Sequence, residues 1–238
     1  MSLIDTVIFD LDGVLYDERQ YFYAAFAEIA DFLSKKSKFS QHQIRDKLWA
    51  DFQKKSSIYP HLFNDLLTDY DIDKNLLTDI LTLFSTVKPN LKLYHSAELL
   101  LKTLRNENFK LGLLTNGNVE TQRNKVRLLK IEDYFNAIVY ARQLGAAFEK
   151  PNTQAFEAVL SALSSKPEKA IYLGDNPYTD FVGAKQLGIK TIRLLSGEFR
   201  GVHLGLAYEA DFVADNLDHA SRIILKIQKS GKERERIV

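Results

Sequence analysis

Residues Thr6-Val7-Ile8-Phe9-Asp10-Leu11-Asp12-Gly13 join a short apolar run to two carboxylates that are separated by one residue. A run that is apolar throughout predicts a buried strand of a parallel sheet, since a strand with one solvated face would alternate. Asp10 and Asp12 would then follow the carboxyl end of that strand, where ligands bind in open parallel sheets. This stretch therefore predicts both a fold class and the position of a site.

Three later segments repeat the pattern of an apolar run followed by polar residues. They are 110–114 before Thr115-Asn116, Ala137–Tyr140 leading toward Lys150, and 170–173 before Gly174-Asp175. Helical patterns lie between these runs, and such alternation predicts a doubly wound α/β fold with a parallel sheet. Residues 189–194 are predicted to add another strand and 211–214 an edge strand. The polar residues that follow the strands should converge at one edge of the sheet.

Residues 16–92 interrupt this alternation with one helical pattern after another. Phe22, Phe26 and Ile29, for example, follow the spacing of one helix face. We therefore predict an α/β catalytic domain of residues 1–15 and 93–238, with an all-helical cap domain of residues 16–92 inserted into it. Such an insertion beside the site could close over a substrate and exclude water, or it could be a structural bundle without a gating role.

Composition restricts the function classes. The 238 residues carry a formal net charge of +1, which offers no broad attraction for nucleic acid or a membrane surface. There is no cysteine, so a metal would need oxygen or imidazole ligands. The N-terminus lacks a signal-peptide pattern, and no apolar run has the length of a membrane span, so we predict a cytoplasmic enzyme. The expected partner is a small phosphorylated metabolite, and the chain is expected to be a monomer or homodimer.

The polar residues suit phosphoryl transfer. A phosphate monoester resists attack because its oxygens repel nucleophiles and its alkoxide leaves poorly. Asp10 is predicted to be the nucleophile that forms an aspartyl-phosphate. Asp12 is predicted to protonate the leaving oxygen and then to activate water. Asp180 is predicted to lie in the first turn of a helix, where it would ligate a metal directly, ligate it through water, or orient Lys150.

Carboxylates crowded around phosphate need a hard cation, and Mg²⁺ is the predicted cofactor. Its candidate ligands are Asp10, Asp12 through a nearby backbone carbonyl, Asp175 and Asp180. The candidate phosphate-binding residues are Thr115, Asn116 and Lys150, and the backbone amides of Asn116 and Gly117 are expected to help. Each motif alone is typical of a turn or a helix cap. Their joint placement after successive predicted strands is what favours a catalytic site.

At these motifs the chain resembles the haloacid dehalogenase-like (HAD) hydrolase superfamily, over its whole length except for the C-terminal tail. The resemblance implies the same roles for the six motif residues Asp10, Asp12, Thr115, Lys150, Asp175 and Asp180, and it implies that 16–92 is the C1 cap of subfamily I. Glu149 stands where many relatives have Gly, and His95-Ser96 replaces a common Pro-Gly. Dehalogenases of the superfamily lack the second Asp because halide leaves without a proton. Asp12 therefore favours a phosphatase.

Several alternatives remain open at this level. A β-phosphoglucomutase-like phosphotransferase would use the same core, and a non-catalytic phosphate-binding protein could keep the same scaffold. A receiver domain is disfavoured by the length of the chain and by Asp12. Sugar phosphates, nucleotides and phosphoglycolate-like compounds are all candidate substrates. Candidate specificity residues near the start of the cap and after the second motif are Tyr16, Arg19, Tyr21, Tyr23, Asn118 and Gln122.

Overall fold

A computed structural model describes residues 3–235 of the chain, with side chains as far as residue 230. Within this range six strands form one sheet in the order β3-β2-β1-β4-β5-β6, and every neighbouring pair is parallel. The strands are β1 (Thr6–Phe9), β2 (Lys110–Thr115), β3 (Ala137–Tyr140), β4 (Ala170–Gly174), β5 (Lys190–Leu194) and β6 (Phe212–Ala214). The predicted doubly wound α/β fold is confirmed, and the predicted edge strand pairs with β5.

Strand β1 lies at the point where the strand order reverses. Phe9 is level with Leu113 of β2 on one side and with Leu173 of β4 on the other. The residues that follow these strands therefore emerge at the same edge of the sheet. This switch point is where open α/β sheets bind their ligands, so the topology explains why motifs distant in sequence meet there.

Helices cover the sheet. They are α5 (His95–Asn106), α6 (Val119–Leu129), α7 (Thr153–Ala162), α8 (Val182–Gln186) and α9 (Leu217–Glu235). Phe156 of α7 and Ala184 of α8 share a buried apolar cluster with Ile8 and Tyr172 of the sheet. Helix α5 contacts α9 and β2, while α6 contacts β3. The four-residue β1 is buried along its whole length, as its apolar sequence predicts.

The helical insertion forms a compact unit of its own, Glu18–Leu91, whereas the predicted insertion was 16–92. Its helices are α1 (Arg19–Ser34), α2 (Gln41–Lys55), α3 (Leu62–Asp69) and α4 (Leu77–Thr86). Aromatic rings fill its core, and Phe22 and Phe52 lie 4.4 Å apart between ring centroids. The second unit comprises the described residues up to Asp17 and from Lys92 onward. Among residues 3–235 no helix is both long and apolar enough to cross a bilayer.

Candidate active site

Asp10 follows β1 directly, and its backbone is fixed by the sheet. Its amide donates to the carbonyl of Leu173 at 2.9 Å, which extends the pairing of β1 with β4 by one residue. The amide of Leu11 donates to Asp10 Oδ1 at 2.8 Å, so one carboxylate oxygen is held by the backbone. The Asp10 side chain is only 11% exposed. The strand end thus presents a nearly buried carboxylate in a defined orientation.

Two further carboxylates join Asp10 at this edge of the sheet. Oxygen atoms of Asp10, Asp175 and Asp180 lie within 4.8 Å of one another. Gly13 permits this crowding, because its φ is +71° and a Cβ atom there would lie 2.4 Å from Asp175 Oδ2. Asp10, Asp175 and Asp180, three of the four residues predicted to serve a metal, are therefore brought together, and their hard oxygen donors are of the kind that Mg²⁺ prefers.

Lys150 supplies the positive charge inside this cluster. Its Nζ lies 3.0 Å from Asp10 Oδ1 and 2.8 Å from Asp180 Oδ1, and it donates to the hydroxyl of Tyr172 at 2.7 Å. The Lys150 side chain is 1% exposed. Burial lowers its pKa, but the two carboxylates raise it by more, so the pKa of Lys150 is raised overall. The lysine therefore stays protonated at the site.

The carboxylate of Asp180 is occupied by partners on both of its oxygens. Oδ1 accepts from Lys150 and from Tyr172, while Oδ2 accepts from the backbone amides of Asp175 at 3.1 Å and Asn176 at 2.9 Å. Asp180 lies in a turn that precedes α8, so the prediction that it belongs to a helical turn is wrong. Of the predicted alternatives for Asp180, this arrangement favours the orientation of Lys150.

The electrostatic balance at Asp10 depends on this crowding. Burial raises the pKa of Asp10, Lys150 opposes the rise, and the charges of Asp180 and Asp12 add to it, so that the pKa reaches about 7. A divalent cation beside these carboxylates would favour the ionised form of Asp10. The proton and a cation therefore compete for the same group of oxygens.

Asp12 points away from this cluster and toward α6. Lys125 Nζ lies 2.8 Å and 3.0 Å from its two oxygens, and Gln122 Nε2 donates to Oδ2 at 2.7 Å. The hydroxyl of Tyr16 donates to Oδ1 at 2.6 Å. Burial raises the pKa of Asp12, but these donors lower it by more. The Asp12 side chain thus lies outside the group of Asp10, Asp175 and Asp180. The predicted contribution of Asp12 to a metal site came from a nearby backbone carbonyl, not from this side chain.

Thr115 is the last residue of β2 and Asn116 follows it, whereas both were predicted to follow the strand. Their side chains have distinct partners. Gln122 Nε2 donates to Thr115 Oγ1 at 2.6 Å. The Asn116 amide donates to the carbonyl of Lys150 and accepts from the Lys150 amide, each at 2.9 Å. The Asn116 side chain therefore anchors the backbone of Lys150. The backbone amide of Asn116 stays the predicted donor to a phosphate group.

The backbone amide of Gly117 was predicted to help bind phosphate, but in the structure it has another partner. It donates to Glu149 Oε1 at 2.5 Å, so a carboxylate occupies the donor that was expected to hold a phosphoryl oxygen. The other oxygen of Glu149 is paired with Arg142 at 2.8 Å. Glu149 thus ties the loop before Lys150 to the loop after β2. Its charge is balanced by Arg142.

Lys125 and Tyr172 were missed by sequence reasoning. Tyr172 lies within the apolar run of β4, where its hydroxyl gave no pattern to detect. Lys125 follows Gln122 by three residues on α6, and side chains at this spacing share one helix face. Lys125 and Gln122 are both buried, at 4% and 3% exposure. The available signal was this pair of polar residues, Gln122 and Lys125, on the face of α6 that packs on the core.

The candidate specificity residues of the sequence mostly have internal partners. Tyr16 and Gln122 bond to Asp12. Asn118 caps the start of α6 by accepting from the Thr121 amide at 3.1 Å, and the hydroxyl of Tyr21 donates to the carbonyl of Phe84 at 2.6 Å. The tyrosine that remains exposed among them is Tyr23, at 61%.

The same motifs lie within the part of the chain that matches a known protein family. The family model for haloacid dehalogenase-like hydrolases matches residues 7–194, a range that contains Asp10 and Asp180. The chain is 27% identical to the glyceraldehyde 3-phosphate phosphatase of Pyrococcus furiosus, over 98% of both chains. It is 24% identical to the pyrophosphatase PpaX of Bacillus cereus, over 95% of this chain and 99% of the relative.

The fold is likewise that of known structures. A HAD phosphatase from Thermococcus onnurineus superposes with a TM-score of 0.67, covering 93% of this chain and 98% of that chain at 24% identity. At this level of identity the superposition supports the fold alone. The family model adds that the matched residues include all four motifs.

Proposed function

The chain belongs to the haloacid dehalogenase-like hydrolase family, and we propose that it is a Mg²⁺-dependent phosphatase that hydrolyses a small phosphomonoester through an aspartyl-phosphate. One observation carries the proposal. Asp10 lies in a group of three carboxylates with the buried Lys150, while Asp12, two residues later, is held outside that group by other donors. A nucleophile and a separate proton-transfer group are what phosphomonoester hydrolysis requires.

The residues at the switch point fit a divalent cation. Asp10 and Asp175, with Asp180 beside them, supply carboxylate oxygens within 4.8 Å of one another, and Gly13 leaves room against Asp175. When bound, the cation would offset the negative charges of Asp10 and of the phosphoryl oxygens. Lys150 contributes a second positive charge that belongs to the protein itself.

In the first step, a carboxylate oxygen of Asp10 attacks phosphorus. The bond from phosphorus to the ester oxygen breaks, and its electron pair stays on that oxygen, which takes a proton from Asp12. Lys125 and the other donors lower the pKa of Asp12 in the protein alone, and the negative phosphoryl group beside Asp12 would raise that pKa so that Asp12 carries the proton when substrate is bound. Lys150 balances the charge of Asp10 and of the phosphoryl group. The Thr115 hydroxyl and the Asn116 backbone amide are the proposed donors to phosphoryl oxygens.

In the second step, water attacks the phosphorus of the aspartyl-phosphate. Asp12, now ionised, takes the proton from that water, and the bond from phosphorus to the Asp10 oxygen breaks. The products are inorganic phosphate and the carboxylate of Asp10. The site returns to its initial state, with a proton on Asp12 for the next leaving group.

The proposed substrate is a small phosphorylated metabolite: a sugar phosphate, a nucleotide or a phosphoglycolate-like compound. The proposal is supported by relatives named for glyceraldehyde 3-phosphate and for pyrophosphate, which are both small phosphate compounds. We further propose that the unit Glu18–Leu91 is the cap that selects the substrate. A cytoplasmic location and a monomeric or homodimeric state are part of the same proposal.

The test measures phosphate release from a panel of phosphomonoesters, with and without Mg²⁺, by the wild type and by Asp10→Asn. Release that requires Mg²⁺ and disappears in the variant is the expected result. Conversion of a sugar phosphate into its isomer without phosphate release would point to a phosphotransferase instead. Release that persists in a folded Asp10→Asn protein would refute the assignment of the nucleophile.

A further inference from the structure

Helix α6 carries two polar side chains that are buried and point at the same carboxylate. Gln122 and Lys125 are three residues apart and are 3% and 4% exposed. A lysine is rarely buried unless its charge is paired, because removal of an ammonium group from water is strongly unfavourable. Asp12 pairs with Lys125, and both of its carboxylate oxygens lie within 3.0 Å of Nζ.

Gln122 links two functional groups through one nitrogen. Its Nε2 donates at 2.7 Å to Asp12 Oδ2 and at 2.6 Å to Thr115 Oγ1. An amide nitrogen has two protons, so it can satisfy both acceptors at once. The proposed proton-transfer group and the proposed phosphate-binding hydroxyl are therefore connected by a single side chain.

The two α6 side chains restrain the Asp12 carboxylate from one direction. Lys125 bridges both of its oxygens, Gln122 holds Oδ2, and Tyr16 holds Oδ1 at 2.6 Å. The start of α6 is fixed by the Asn118 cap, one residue before the helix begins. Because the helix is anchored, rotation of the Asp12 carboxylate would break several hydrogen bonds together.

We propose that Gln122 and Lys125 are positioning residues, which fix the Asp12 carboxylate for proton transfer to the leaving oxygen. Gln122 also holds that carboxylate at a fixed position relative to the Thr115 hydroxyl. This inference rests on the proposed phosphatase function. Neither residue is assigned a contact with the substrate. Their effect on the reaction passes through the orientation of Asp12.

Such a role has a kinetic signature that depends on the leaving group. An alkoxide is strongly basic and needs a proton as it leaves, whereas p-nitrophenolate is a stable anion that leaves without one. The value of kcat/KM reports the first irreversible step, which is the cleavage of the ester bond. Loss of Asp12 positioning should therefore slow an alkyl phosphomonoester much more than p-nitrophenyl phosphate.

The experiment measures kcat/KM with Mg²⁺ for p-nitrophenyl phosphate and for the best alkyl phosphomonoester of the panel. The variants are Gln122→Met and Lys125→Met, which keep side-chain volume, and Lys125→Arg, which restores the cation. Arg123→Met is the matched control, because Arg123 is on the same helix with an exposed side chain. General acid catalysis contributes roughly 10²–10⁴-fold, so we expect a loss of about 10–100-fold for the alkyl ester.

We expect p-nitrophenyl phosphate to lose less than about 3-fold in the same variants, and Lys125→Arg to recover part of the alkyl activity. Equal losses on both substrates, or no loss on either, would overturn the inference. If Lys125→Met does not fold, Gln122→Met decides alone, since it removes no charge. A wild type that releases phosphate from neither substrate would overturn the proposed function, and this inference with it.

Discussion

Asp10 and Asp12 are separated by one residue and are each paired with a buried lysine, but their other neighbours differ. Asp10 is buried among other carboxylates, and its pKa is raised to about 7. Asp12 accepts hydrogen bonds from Lys125 and Gln122, and its pKa is lowered. The two side chains belong to the same short segment, so the difference comes from residues that other elements supply. The order of the two pKa values is the reverse of the order that the reaction uses, since the proposed nucleophile must be ionised and the proposed acid protonated. A cation beside Asp10 would lower its pKa, and a negative phosphoryl group beside Asp12 would raise the pKa of Asp12.

Replacement of each carboxylate in turn should have the largest effect. We expect Asp10→Asn to lower phosphate release by at least about 10³-fold on any ester, because the nucleophile is lost. We expect Asp12→Asn to lower kcat/KM for an alkyl ester by roughly 10²–10⁴-fold and for p-nitrophenyl phosphate by much less. Steady-state kinetics on both esters checks this. If Asp12→Asn abolished activity on both esters and Asp10→Asn slowed mainly the alkyl ester, the assignments of nucleophile and proton donor would have to be exchanged.

Removal of the cation on the Asp10 side should have the next largest effect. Lys150→Met leaves Asp10 and Asp180 buried without their counter-charge, and breaking such a pair destabilises a protein by about 3–5 kcal/mol. Urea unfolding without Mg²⁺ measures this. Lys166→Met, at an exposed lysine, is the control and should change the free energy of unfolding by less than about 0.5 kcal/mol. Equal effects of the two substitutions would contradict the ion-pair assignment.

The two carboxylates should also give opposite dependences of stability on pH. The pKa of Asp10 is raised in the folded protein, so its contribution to stability is greatest below its unfolded pKa and is lost as pH rises to about 7. The pKa of Asp12 is lowered, so its contribution is present above the unfolded pKa and is lost only in acid.

The pH effect is measured by chemical unfolding in a chelator. Relative to Asp10→Asn, the wild type should lose on the order of 2 kcal/mol between about pH 5 and about pH 8. The difference between the wild type and Asp12→Asn should be nearly flat over the same interval. Parallel curves for the two variants would show that Asp10 and Asp12 do not differ in the way their surroundings indicate.

The smallest expected effect is at Tyr172, whose hydroxyl lies between Lys150 and Asp180. Tyr172→Phe removes one hydrogen-bonding group and keeps the ring that packs against Phe156 at 5.1 Å. We expect a destabilisation of about 0.5–1.5 kcal/mol and a modest fall in kcat. Tyr208→Phe, at a partly exposed tyrosine, is the control for thermal unfolding. If Tyr172→Phe were as stable and as active as the wild type, the Tyr172 hydroxyl would have no role in positioning Lys150.

Strand positions were well predicted because their signals are local. The apolar run at Thr6–Phe9 is β1 in the structure, and the predicted strand 189–194 begins one residue later, at Lys190. Side-chain period and flanking turn residues are contained in a few neighbouring positions. The turn at Asp180 was harder, since capping residues and loop turns share the same sequence signals.

The surroundings of Asp12 could not be predicted in the same way. Lys125 is separated from Asp12 by 113 positions, and the helix pattern does not show which element its polar face meets. Likewise, the amide of Gly117 was expected to bind phosphate, but the loop before Lys150 brings Glu149 to it. Contacts of this kind depend on how α6 and the neighbouring loops pack on the sheet.

The sequence by itself determined the alternation of strands and helices, the helical insertion pattern and the set of motif residues. These follow from side-chain period and from the chemistry of each residue type. The tertiary structure alone decided that Asp10 lies among carboxylates and Asp12 among donors. The physical reason is that charge interactions and desolvation depend on distance and burial, which arise only when distant segments pack together.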